Sequence, residues 1–148
     1  MTFLDAYALL ALLLDEPAAD EVERLLRERQ CAASFVNVAE AVDVSQRVHE
    51  VPGDEVKAAL EPLFGDTMTV VSPREPEAWR AADLRRRYYD RRTRPLSLAD
   101  CFLVAHASRG DEVATADPPL AEVAIAEGIS VVALPDSAGR RPPTTNSR

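Results

Sequence analysis

The sequence has 148 residues, with a hydrophobic share of 47% and a charged share of 28%, which suits one globular domain with a single core. The formal net charge of −8 excludes a protein that attracts polyanions through its overall charge. The apolar run 3–14 is too short to cross a bilayer, which needs about 20 residues, and it lacks the basic stretch and cleavage site of a signal peptide. We therefore expect a cytoplasmic protein with no membrane segment.

Short β-prone runs alternate along the chain with longer helical patterns. The predicted strands are Thr2–Leu4, Cys31–Ala33, Met68–Val71, Glu112–Thr115 and Ile129–Leu134. The predicted helices are Ala6–Leu14, Ala18–Arg29, Phe35–Glu50, Asp54–Phe64, Glu75–Arg92, Leu98–Ser108 and Pro118–Glu127. This alternation predicts one α/β domain over residues 1–135, with a central, mainly parallel, twisted sheet of four to five short strands flanked by helices.

Two further features complete the organisation. Residues 136–148 combine turn formers and charge without an apolar period, which predicts a flexible C-terminal tail. Cys31 and Cys101 lie far apart in apolar surroundings and form no ligand pair, so we expect both to be reduced core residues.

Four acidic residues share one position in this pattern, at or near the joint between a strand and a helix. Asp5 follows the first predicted strand and Asp117 follows the fourth, while Glu40 and Asp100 lie near the starts of apolar helices. Each alone is an ordinary cap or first-turn acid, contributing about 1 kcal/mol or less. Since the carboxyl ends of parallel strands share one edge, and ligands bind outside it, we expect the four side chains to converge.

Converging carboxylates repel one another unless cations lie between them. Oxygen ligands favour hard divalent cations such as Mg²⁺, with Mn²⁺ as a substitute. An open, all-carboxylate site supports metal-assisted phosphodiester hydrolysis, in which two ions roughly 3.5–4 Å apart activate water and stabilise the leaving oxygen. The pattern therefore predicts a metal-dependent catalytic site formed by Asp5, Glu40, Asp100 and Asp117.

The segments FLDAYALLALLLDEP, SFVNVAEAVDV, PLSLADCFLVAHA and VATAD, in this order, resemble the PIN-domain ribonucleases, specifically the VapC-like toxins of bacterial toxin–antitoxin pairs. The resemblance covers nearly the whole chain. It implies a PIN-like fold and an endoribonuclease that hydrolyses RNA with Mg²⁺. It carries over the four acids as Mg²⁺ ligands, and Thr115 as a polar residue that supports them. It further implies a homodimer, and a cognate antitoxin that binds the apolar helical region at residues 9–26.

The chain departs from the family pattern at both ends of the predicted site. Tyr7 stands where relatives usually have Ser, Thr or Asn, and Pro118 and Pro119 follow the last acid where many relatives have charged residues. These departures leave open an alternative, a catalytically weak or inactive PIN-like domain that binds RNA or protein. Two other classes of protein with acids at strand ends fit this sequence less well. A receiver domain needs a lysine after a late strand, but the single lysine, Lys57, falls in a predicted helix. A haloacid-dehalogenase-like phosphatase needs an aspartate at position 7, where this chain has Tyr7.

The stretch WRAADLRRRYYDRRTRP contains seven of the sixteen arginines in the sequence. One interpretation is a solvated helix with ion pairs four residues apart, such as Asp83 with Arg87. The other is a basic wall for RNA phosphates, with Tyr88 or Tyr89 available for base stacking. Under the second interpretation the candidate substrate-binding residues are Arg85, Arg86, Arg91 and Arg92.

Overall fold

Five short parallel strands form the centre of the molecule in the computed structural model, which describes residues 1–145. The strands are β1 (Thr2–Leu4), β2 (Cys31–Ser34), β3 (Met68–Val71), β4 (Glu112–Thr115) and β5 (Ser130–Ala133). Their order in the sheet is β3-β2-β1-β4-β5, and each neighbouring pair is parallel. Because the strand order reverses at β1, a crevice is expected outside the carboxyl ends of β1 and β4.

The helices confirm the predicted α/β class. Within residues 1–145 they are α1 (Ala6–Leu14), α2 (Ala19–Glu28), α3 (Phe35–Arg47), α4 (Gly53–Leu60), α5 (Glu75–Tyr88), α6 (Leu98–His106) and α7 (Pro118–Ala126). A short 3₁₀ turn, Glu61–Leu63, follows α4. None of the helices in this part of the chain is long and apolar enough to cross a membrane.

The sheet is buried on both faces, which explains why its strands read as continuous apolar runs. Side chains alternate between the faces of a strand, so Leu4 joins the core formed with α1 to α4 and Phe3 joins the core formed with α5 to α7. Cys31 and Cys101 are free and buried, one in each core, as predicted. The two cores fix β1 from both sides.

Two predicted helices end four residues early: α4 stops at Leu60 rather than at Phe64, and α5 stops at Tyr88 rather than at Arg92. Asp90 turns the chain there, because its Oδ1 accepts hydrogen bonds from the backbone N–H groups of Arg92 and Thr93, both at 2.8 Å. Asp90 and Arg94 then exchange backbone hydrogen bonds. Residues 89–97 are therefore a compact turn between α5 and α6, named here the α5–α6 turn.

The chain after β5 folds back over the first helices. The Tyr7 hydroxyl donates to the Pro135 carbonyl at 2.9 Å, and Arg141 forms an ion pair with Glu21 of α2 at 2.8 Å. Asp136 closes a turn by accepting from the Arg140 backbone N–H at 2.8 Å. The flexibility predicted for residues 136–148 stays a prediction, and residues 146–148 lie outside the described part of the chain.

Candidate active site

Asp5 is held at the joint between β1 and α1. Its carboxylate caps α1 by accepting from the Ala8 N–H at 2.7 Å, and its own N–H donates to the Ala114 carbonyl of β4 at 3.3 Å. Only 3% of the residue is exposed. The side chain is thus fixed beside the point where the strand order reverses.

Asp117 occupies the matching position after β4. Its carboxylate caps α7 by accepting from the Leu120 N–H at 3.1 Å, and its N–H donates to the buried Thr115 hydroxyl at 2.9 Å. Pro118 and Pro119 form the first turn of α7, where the missing N–H groups cost nothing. Thr115 also lowers the pKa of Asp5 by hydrogen bonding, so this hydroxyl lies between the two acids.

Asp100 and Glu40 reach the same crevice from α6 and α3. Asp100 and Ser97 form a capping box, with N–H to oxygen distances of 2.8 and 3.0 Å. Ser97 also lowers the pKa of Glu40 by hydrogen bonding. The cap of α3 is Ser34, whose hydroxyl accepts from the Val36 N–H.

Burial and neighbouring charge both act on these carboxylates. The pKa of Asp5 is raised from 3.8 to about 7, mainly by burial, with smaller contributions from the charges of Asp100 and Asp117. Burial and the Asp100 charge likewise raise the pKa of Glu40 and of Asp117. Because the charge of Asp100 affects the pKa of the other three, the four predicted acids lie near one another at one edge of the sheet.

The donor set fits a hard divalent cation. Carboxylate oxygens are the ligands that Mg²⁺ and Mn²⁺ prefer, and within residues 1–145 no arginine or lysine forms an ion pair with any of the four acids. In that part of the chain no three His, Cys, Asp or Glu side chains lie close enough to share one ion. One or two carboxylates with several waters is an ordinary Mg²⁺ environment, so pairs of these acids are sufficient.

Tyr7 is positioned mainly by packing. Its ring lies against the core formed by α1 to α4, and its hydroxyl donates a hydrogen bond to the Pro135 carbonyl. Burial raises the pKa of Tyr7, with a smaller contribution from the charges of Glu16, Asp136 and Asp5. The residue therefore ties the segment after β5 to α1.

The predicted arginines occupy different environments. Arg86 is paired with Asp83 at 2.8 Å, and Asp83 also binds Arg87 at 2.7 Å. The Arg85 guanidinium lies 4.6 Å from the centre of the Tyr89 ring. Arg91 and Arg92 are exposed on the α5–α6 turn, and neither has an ion-pair partner within the described residues.

Two polar residues near the acids have contacts that the sequence did not indicate. Ser97 forms a hydrogen bond with Glu40 as well as with Asp100. The fully buried Asn37 donates from Nδ2 to the Ala99 carbonyl at 3.4 Å. A polar residue on the buried face of an apolar helix, one turn before Glu40, was the available signal for Asn37.

The chain matches the PIN domain family model over residues 2–126, and it therefore belongs to the PIN domain family. None of the curated proteins matches the sequence.

Several solved structures share the fold. A toxin–antitoxin complex from Klebsiella pneumoniae contains a chain that is 21% identical, with a TM-score of 0.55 over 79% of this chain and 87% of that one. VapC20 of Mycobacterium tuberculosis, a sarcin-ricin loop cleaving toxin, is 17% identical, with a TM-score of 0.58 over 71% and 79% of the two chains. VapBC2 of Rickettsia felis, solved with a DNA fragment from its promoter, is 10% identical, with a TM-score of 0.61 over 88% and 96%. At these identities the similarity establishes the fold.

The raised pKa of Asp5 predicts how the metal-free protein responds to pH. A carboxyl with a higher pKa in the folded chain than in the unfolded chain binds more protons when folded, so stability falls as the pH rises between about 4 and 7. Asp5→Asn removes the charge and keeps an oxygen for the Ala8 N–H. We expect this variant to raise the Tm by roughly 5 °C at about pH 8 and by much less at about pH 4.

Differential scanning calorimetry in EDTA across this pH range measures both values. Asp66→Asn, a change at an exposed loop carboxylate outside the site, is the matched control and should leave the profile unchanged. Equal profiles for wild type and Asp5→Asn would contradict a raised pKa for Asp5.

Proposed function

We propose that the chain is a divalent-metal-dependent endoribonuclease that acts as a cytoplasmic toxin and is neutralised by a cognate antitoxin. The observation that carries this proposal is the convergence of four carboxylates, with no basic partner among the described residues, at the carboxyl ends of β1 and β4. Membership in the PIN domain family and a fold shared with a sarcin-ricin loop cleaving toxin support it.

Asp5, Glu40, Asp100 and Asp117 are the residues that would hold Mg²⁺ or Mn²⁺. A bound divalent cation supplies Lewis-acid activation of water and of the phosphate. The residues of the chain supply rigidity and charge. Asp5 is fixed by its cap and by the β1–β4 hydrogen bond, while Glu40, Asp100 and Asp117 are half-buried and accessible from the crevice.

Deprotonation of Asp5 belongs to the same function. Its pKa of about 7 means that a cation must displace a proton from this carboxyl over much of the neutral range. Thr115 lowers this pKa by hydrogen bonding and so favours the charged form. Metal affinity should therefore increase with pH up to about neutrality.

The central test removes the charge of Asp5. We expect Asp5→Asn to reduce Mg²⁺-dependent cleavage of RNA by ~100-fold or more, because a fixed ligand is lost while the fold persists. Cleavage of a labelled RNA pool in Mg²⁺, in Mn²⁺ and in EDTA measures the effect, and circular dichroism checks the fold.

Asp66→Asn again serves as the control and should cleave like wild type. Undiminished cleavage by Asp5→Asn would refute the assignment. If the wild-type protein neither binds Mn²⁺ nor cleaves RNA, the alternative of a binding module without catalysis replaces the proposal.

The α5–α6 turn is the surface that we propose for RNA phosphates. Arg80 of α5 donates to the Ala105 and Ala107 carbonyls at the end of α6, at 3.2 and 2.9 Å. Arg85, one turn further along α5, affects the pKa of Cys101 near the start of α6. The two helices are therefore antiparallel, and the α5–α6 turn lies at the same end of α6 as Asp100.

The contacts of this turn distinguish the two tyrosines and rank the arginines. Both polar and aromatic parts of Tyr88 already have partners. Its hydroxyl donates to Glu127 at 2.7 Å, and the Arg87 guanidinium lies 4.9 Å from the centre of its ring. Tyr89 is 43% exposed and has Arg85 against its ring. Arg85, Arg91 and Arg92 are thus better placed for phosphates than Arg86, whose charge is balanced by Asp83.

Removing the unpaired charges tests this surface. In an Asp5→Asn background, we expect Arg91→Gln with Arg92→Gln to weaken binding of single-stranded RNA by roughly 10-fold at low salt, and to reduce the salt slope by about 1 to 2, because each phosphate contact releases counterions.

Fluorescence anisotropy in EDTA measures the affinity at several salt concentrations. Arg27→Gln removes an exposed arginine from α2, where it is paired with Glu23 at 3.2 Å, and should change neither value. Equal losses in the two variants would argue against a local RNA surface.

For the antitoxin, we propose the apolar groove between the α1–α2 hairpin and the end of α4. This groove has a volume of about 200 Å³ and is lined mainly by leucines, including Leu12, Leu13, Leu26 and Leu63. The toxin–antitoxin complex that shares the fold supports a protein partner. A homodimer belongs to the same proposal, and light scattering measures it.

We expect Leu13→Glu to abolish neutralisation by the cognate antitoxin, because a charge in the groove cannot be solvated once a peptide covers it. Growth of cells that express both proteins measures neutralisation, and the purified variant should still cleave RNA. Glu23→Gln, at the polar edge of the same groove, is the control. Full neutralisation of Leu13→Glu would place the partner elsewhere.

A further inference from the structure

Asn37 connects the two helices that carry Glu40 and Asp100. It lies on α3 one turn before Glu40, and its Nδ2 donates to the carbonyl of Ala99, the residue before Asp100, at 3.4 Å. The whole residue is buried, with 0% exposed. No ion pair or capping role occupies it, since Ser34 caps α3 and Ser97 caps α6.

The other half of this amide is unpaired. Within residues 1–145 no donor reaches Asn37 Oδ1, although the atom is inaccessible to solvent. Burying an amide oxygen without a hydrogen bond is unfavourable, and an apolar side chain of similar size would avoid that penalty. The amide cannot be reversed to relieve it, because reversal would set its oxygen against the Ala99 carbonyl.

We propose that Asn37 is a positioning residue of the carboxylate site. Its Nδ2 sets the distance between α3 and the first turn of α6, and thereby the distance between Glu40 and Asp100. The inference rests on the proposed metal-dependent function. It adds an uncharged residue to those that hold the metal-binding acids in place.

A purely structural role and a positioning role for Asn37 predict different results. If Asn37 only stabilises the fold, its replacement changes the stability of the metal-free protein and leaves the metal affinity of the folded protein unchanged. If it positions the acids, the metal affinity falls even where the fold is as stable as before. Residues that orient metal ligands typically contribute about 10- to 100-fold in affinity.

The experiment compares Asn37→Leu with Ser45→Ala by Mn²⁺ titration in a calorimeter, without RNA. Ser45 is also fully buried on α3, and its hydroxyl donates within the helix to the Val42 carbonyl at 2.9 Å, so its replacement removes a buried polar group distant from the acids. We expect Asn37→Leu to bind Mn²⁺ about 10-fold or more weakly with little change in the metal-free Tm. Ser45→Ala should retain wild-type affinity.

A double-mutant cycle makes the assignment specific. In an Asp100→Asn background, Asn37→Leu should cause little further loss, because both changes act on the same pair of acids. If Asn37→Leu does not fold, Asn37→Ala provides the same comparison with a smaller side chain. Wild-type Mn²⁺ affinity in the folded Asn37 variant would overturn the inference and leave the proposed function standing. Absence of Mn²⁺ binding by the wild-type protein would overturn both.

Discussion

Burial of carboxylates beside one another at the carboxyl ends of β1 and β4 is the constraint on which the rest of this site depends. Asp5 is only 3% exposed, and its pKa of about 7 shows that the folded chain holds this charge unfavourably. The acids nevertheless stay together because each of three is also a helix cap or first-turn acid. The N–H groups of Ala8, Leu120 and Ser97 hold Asp5, Asp117 and Asp100 in place. Ordinary capping thus positions groups that would otherwise separate.

The apolar surroundings make this arrangement rigid. Phe3 and Leu4 point into opposite cores, and α1 continues with the buried residues Ala6, Ala8 and Leu9. A shift of Asp5 away from its neighbours would also move β1, which is packed on both faces, and α1, which is packed against one of them. The unfavourable electrostatic energy is therefore retained by packing, and a bound cation is the natural means of relieving it.

Local features of the sequence predicted most of the fold and the location of the acids, because both depend on short-range rules. The strand–acid–helix joints at Asp5 and Asp117, and the Ser97–Asp100 box, involve residues at most three positions apart. Asn37 was missed because its partner, Ala99, is 62 positions away. The contact of Tyr7 with Pro135 spans 128 positions. Such contacts follow from how the elements pack, which periodicity does not describe.

The arginine-rich segment illustrates a second limit. Its pattern fitted both a solvated helix and a phosphate-binding wall, and the structure contains the ion pairs of the first and the exposed arginines that the second would use. Arg86 and Arg87 share Asp83, as a solvated helix requires, while the turn formed by Asp90 exposes Arg91 and Arg92 beyond the helix end. The sequence contained all of these residues, but the early end of α5 is what places Arg91 and Arg92 on a turn, where neither has an ion-pair partner within the described residues.

Charge also orders the events that the proposed function requires. The chain has a net charge of −8, and its crevice concentrates four acids, so a polyanion is repelled from the crevice until cations reduce that charge. Screening confines this repulsion to about 8 Å at physiological ionic strength, which leaves the exposed arginines of the α5–α6 turn free to attract phosphates locally. RNA can therefore bind first at the turn, whereas entry of its backbone into the crevice depends on prior binding of the metal. Under the proposed function, the negative charge of the four acids, which adds to the effect of burial on the pKa of Asp5, makes the metal-free site resistant to its own substrate.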